Sequence, residues 1–116
     1  MAENKQYITQ VQDKGTVMIS EEVVAAIAAQ AIMEVEGVLG IGSKPGADRK
    51  LLSKGLKITI TENNDVTVDC GIVVAYDNPV VNIGKAVQAA VSGAVESMTG
   101  VKPVAVNVNV SGIVRQ

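Results

Sequence analysis

Apolar and polar residues follow two rhythms along this chain. Leu56, Ile58 and Ile60 alternate with Lys57, Thr59 and Thr61, the period of a strand with one wet face. Asn63-Asn64-Asp65 supplies turn chemistry, after which Val66, Val68 and Cys70 alternate with Thr67 and Asp69. The run then becomes uniformly apolar through Ile72-Val73-Val74, and the two segments together predict a hairpin. Val104, Val106, Val108 and Val110 repeat the two-residue rhythm against Ala105, Asn107, Asn109 and Ser111, which predicts another strand. Shorter apolar runs at residues 15–19 and 38–42 read as two more.

The second rhythm has steps of three and four. Val24, Ile27, Ala28, Ala31, Ile32 and Val35 share one face of a helix running from Ser20 to about Glu36. Ser20 suits its N-cap, Glu21 and Glu22 favour the positive end of its dipole, and Gly37 suits its stop. In a second helix, Asn78 can cap, Pro79 fits the first helical position, and Gly100 ends it after Thr99. Its stripe is Val80, Ile83, Val87, Val91, Ala94, Val95 and Met98.

The element order is therefore β-α-β-β-β-α-β. It predicts an α+β fold, a two-layer sandwich with both helices on one face of a mainly antiparallel sheet. Lys57, Thr59, Thr61, Thr67, Asp69, Asn107 and Asn109 then populate the opposite face, solvated or paired with a partner. Residues 1–14, polar and without periodicity, read as a loose tail; residues 15–116 read as one domain. Both helices end in Gly-Val leading to a strand (Glu36-Gly37-Val38 and Thr99-Gly100-Val101), which suggests two related halves.

The second helix contains Gly84 and Gly93 among small residues that include Ala90. A glycine inside a helix costs up to about 1 kcal/mol relative to alanine, so two of them need a reason. Close approach of the first helix or of the sheet is one; a groove for self-association formed by Gly84, Ala90 and Gly93 is the other.

Composition narrows the chemistry. The 116 residues are 47% hydrophobic but only 2% aromatic, with no Trp and no Phe, so the core is built from Val, Ile, Leu, Ala and Met. Such a chain has few platforms on which a base could stack. Histidine is absent, which removes the commonest general base and metal ligand. Cys70 stands alone, so neither an internal disulfide nor the paired-cysteine motif of a metal chaperone is available. Its place in the alternation makes it a buried, inert thiol. No cofactor and no metal are expected. A net charge of −2 gives no global attraction for nucleic acid, and neither a signal peptide nor a membrane span is visible, so a cytoplasmic location is expected.

Three constellations invite a functional reading. Gly40-Ile41-Gly42-Ser43-Lys44-Pro45-Gly46 follows a strand, but its third glycine comes one residue late for a dinucleotide fingerprint and no helix follows. The acidic pairs Glu21/Glu22 and Glu34/Glu36 point in different directions on a helix and converge on nothing. Lys44, Arg49, Lys50, Lys54 and Lys57 gather half of the chain's ten basic residues in a predicted surface loop. That loop is either simply solvated or a contact surface for an acidic protein segment, anionic headgroups or RNA.

Gly15-Thr16-Val17-x-Ile19-Ser20, then Val23-Val24-x-x-Ile27-Ala28, Ala31 and Glu36-Gly37-Val38-x-Gly40 form a specific block. With the hairpin, Tyr76 near a helix start, Thr99-Gly100 and the closing Val104-x-Val106-x-Val108-x-Val110, this resembles the alkaline-shock, or envelope stress response, protein family of Gram-positive bacteria over residues 7–114. The resemblance implies a non-enzymatic protein with no catalytic residues to transfer. It implies a homo-oligomer held beneath the membrane by a membrane-anchored protein partner, with a role in cell-envelope homeostasis and alkaline stress. An RNA- or anionic-ligand-binding module using residues 44–57 is the rival expectation.

Overall fold

In the computed structural model, residues 4–5, 7–42 and 55–115 are described. Along the chain run β1 (Asn4–Lys5), β2 (Tyr7–Gln12), β3 (Gly15–Ser20), α1 (Glu21–Met33), β4 (Val38–Ile41), β5 (Leu56–Thr61), β6 (Val66–Ala75), α2 (Val80–Thr99) and β7 (Ala105–Val114). The expected α+β order is present, preceded by β1 and β2. The segment read as a loose tail is thus corrected: Tyr7–Gln12 pairs with Gly15–Ser20 in a separate two-stranded sheet. Tyr7, Ile8, Thr9 and Val11 are good strand formers, and the polar residues among them hide the alternation.

β6 is the spine of the main sheet. One of its edges carries β5 along the first half and β4 along the second, both antiparallel. Its other edge carries β7 in parallel, joined by the crossover helix that a parallel connection requires. β1 adds to the far side of β5. Alternation decides which side chains turn inward. Val66, Val68, Cys70, Ile72 and Val74 are buried beneath Val24, Ala28 and Ile32 of α1 and Ile83, Val87, Val91 and Val95 of α2.

Helix ends follow local chemistry. Ser20 caps α1, its Oγ accepting from the Val23 N–H at 3.3 Å. α1 stops at Met33, earlier than the spacing suggests, because the chain tightens into three-residue turns, Val35 N–H to Ile32 O and Val38 N–H to Val35 O. Gly37 then turns at φ +97°, where an added Cβ would lie 2.9 Å from Ile83 Cδ1. Pro79 is the N-cap of α2 rather than its first residue, and no side chain caps that end. Gly100 closes α2 in the left-handed conformation, its N–H donating to Glu96 O.

Candidate functional site

The basic cluster is placed only in part. Lys57 is exposed on β5, directly across from Asp69 on β6. Lys44, Arg49, Lys50 and Lys54 lie outside the described residues. The frame around that stretch is described: Gly42 N–H donates to Gly71 O at 2.8 Å, and Gly71 N–H donates to Gly55 O at 2.9 Å. One residue of β6 therefore binds both Gly42 and Gly55. A Cβ on Gly55 would collide with the backbone of Gly42, so glycine is required for this approach. On the polar face, Ser111 Oγ reaches across Gly71 to donate to Gly42 O and also lies 3.2 Å from Ile72 O.

The small residues of α2 do not form one surface. Gly84 and Gly93 are nine residues apart, two and a half turns, so they lie on opposite sides of the helix. Ala90 packs against the core. An added Cβ at Gly84 or Gly93 would meet nothing within 4 Å, so neither glycine is explained by close approach of α1 or the sheet.

Cys70 is buried beneath the helices, with its Sγ 3.6 Å from Asn107 O. Burial, and secondarily the charge of Asp69, push its pKa from 9.0 up to about 11. The thiol is thus protonated at neutral pH, and a protonated buried thiol is a poor nucleophile. Glu21 and Glu22 occupy the first turn of α1, while Glu34 and Glu36 follow that helix instead of lying on it. Among the described residues, no group of three or more His, Cys, Asp or Glu could hold a metal ion. Also among them, no helix is long and apolar enough to cross a membrane.

The feature that sequence reasoning missed is the β2–β3 hairpin. Its base is fixed to the body at three points. Ile8 is fully buried. Asn64, in the β5–β6 turn, clamps the backbone of Thr9, accepting from its N–H at 3.2 Å and donating to its O at 2.8 Å. Gln10 Nε2 donates to Thr99 O at 3.1 Å, at the end of α2. Beyond this base the hairpin projects as an arm with apolar side chains on both faces. Register places Met18 opposite Thr9 and Val11 opposite Thr16 on one face, with Val17 opposite Gln10 on the other. Val11 is 79% exposed, Met18 58% and Val17 51%. The signal in the sequence was Asp13-Lys14, a two-residue loop between segments rich in Val, Ile and Thr.

Comparison with known proteins places the sequence in a family. Residues 9–115 match the model of a family described as having a cell envelope-related function. The chain belongs to the alkaline shock protein (Asp-23) family. The matched span begins inside the arm, so the family's domain takes in the hairpin as well as the two-layer body. A similar relative is the uncharacterized protein Spy1535 of Streptococcus pyogenes serotype M6. It is 33% identical over 105 residues, covering 88% of this chain and 81% of the relative. No solved structure matches. Membership in this family gives a cell envelope-related function.

Proposed function

We propose that this chain is a non-enzymatic structural and interaction protein of the envelope (alkaline) stress response. It self-associates in the cytoplasm and is recruited to the inner membrane surface by a membrane-anchored protein partner. The observation that carries this reading is the arm. An isolated two-stranded hairpin is marginal in water, and this one keeps Val11, Val17 and Met18 exposed beyond a base that is firmly tied down. Apolar groups held out on a fixed support suit a protein surface better than a small substrate. Family membership supplies the envelope setting.

Fractionation of source cells tests recruitment. The protein should pellet with membranes and stay there through a high-salt wash, because an apolar protein–protein contact is not screened. Release by salt would instead point to basic residues on anionic lipid. A wholly cytosolic protein would overturn the membrane half of the proposal.

A further inference from the structure

The edge of the main sheet formed by β7 identifies a second surface. β6 turns its even-numbered residues toward β7: Val66 O accepts from Val104 N–H, and Tyr76 N–H donates to Val114 O. Its odd-numbered residues face the other way, since Gly71 and Ala75 donate to Gly55 and Gly37. Backbone groups alternate along a ladder, so Ala105, Asn107 and Asn109, which pair with Thr67, Asp69 and Gly71, bond into the sheet. Val106, Val108 and Val110 therefore direct their N–H and C=O groups to the outer edge. There the Val106 O accepts from Gln88 Nε2 of α2 at 3.1 Å, and a carbonyl retains a second lone pair. No described strand lies beyond β7.

We infer that this edge pairs antiparallel with β7 of a second copy of this chain, joining two sheets across a two-fold axis. The inference rests on the self-association proposed above and names its surface. Four observations select a second copy. The ten residues of β7 carry no charge, so an identical strand meets no repulsion and a charged one finds no counter-charge. The register that uses all three outward residues sets Val108 against its own copy and Asn107 against Asn109 of the second copy. Valine then faces valine beneath the helices, and asparagine faces asparagine on the polar face. Val106, Val108 and Val110 are only partly buried, whereas their neighbours Val68, Cys70 and Ile72 are buried, so a further strand completes their cover. Finally, Val104, just before β7, and Ile113, near its end, are exposed, and an antiparallel arrangement brings each close to the other.

Sedimentation velocity over a concentration series tests this on the full chain. The wild type should dimerise, and Asn109→Lys, which sets lysine against Asn107 and clusters two positive charges near the axis, should weaken the dimer at least about tenfold. Mixing N109K with N109D chains, which sets opposite charges near the axis, should restore association. Val108→Pro, which removes an outward N–H while sparing the β6 ladder, should act like N109K, with circular dichroism confirming the fold. A wild type that dimerises equally well in N109K and V108P forms overturns the edge pairing and leaves self-association standing. A wild type that stays monomeric at the highest concentration overturns both.

Discussion

Two hairpins in this molecule obey the same backbone rules and have opposite fates. β5 and β6 pair around the Asn63-Asn64-Asp65 turn and turn one face into the core, with Val66, Val68 and Ile60 sealed from water. β2 and β3 pair around Asp13-Lys14, yet Val11 and Gln12 of β2 and Gly15 to Met18 of β3 are exposed. The difference lies in what is packed against the strands. Two helices cover the first pair, whereas the second leaves the body after three points of attachment. A hairpin that the fold does not need to bury is free to serve a partner.

The contrast is sharpest when one charge is placed in each hairpin. Val68→Asp should cost at least about 4 kcal/mol and abolish a folded transition, because it buries an unpaired carboxylate. Val11→Asp should leave monomer stability within about 0.5 kcal/mol of wild type. Chemical denaturation measures both; equal losses would mean that the arm belongs to the core.

The next comparison is pH-dependent and touches only the buried pair. Cys70 has its pKa raised from 9.0 to about 11, so the folded state favours the neutral thiol. That contribution is complete below pH 9 and is lost as pH rises through 9 toward 11, about 2–3 kcal/mol at most. Thermal unfolding should show a melting temperature falling across that interval, and Cys70→Val should flatten the fall.

Asn64 links the two hairpins. Asn64→Gly keeps the left-handed turn, φ 63°, and removes both bonds to Thr9. It should cost about 1–2 kcal/mol, and hydrogen exchange should quicken in β2 and β3 before β5 and β6. Uniform acceleration would show that the arm and body open together. The smallest effects belong to α2: Gly93→Ala and Gly84→Ala should each stabilise by up to about 1 kcal/mol, since both positions open on space. Destabilisation in a monomer would show that the space is not open.

Legibility in the sequence followed burial. The β5–β6 hairpin, β7 and both helices were readable because one face of each meets the core, which forces a period of two or of 3.6. Ser20 and Gly100 were readable because caps are local chemistry. In the arm, β3 was readable as a short apolar run, but β2 and its pairing were not, since residues exposed on both faces have no reason to alternate. The parallel pairing of β6 with β7 could not be read either, because it is settled by the path of α2 and not by any residue of β7. Gly84, Ala90 and Gly93 show the opposite failure: a cluster in sequence that the helical repeat disperses over different sides.

The central claim is that the arm's apolar side chains serve a partner and not the fold. The direct measurement is membrane pelleting of the Val11→Asp/Met18→Asp double variant beside wild type in source cells, with thermal melts of both purified proteins. The account predicts unchanged melting and loss of the salt-resistant membrane fraction. Unchanged pelleting, or a collapse of the melting temperature, would contradict it.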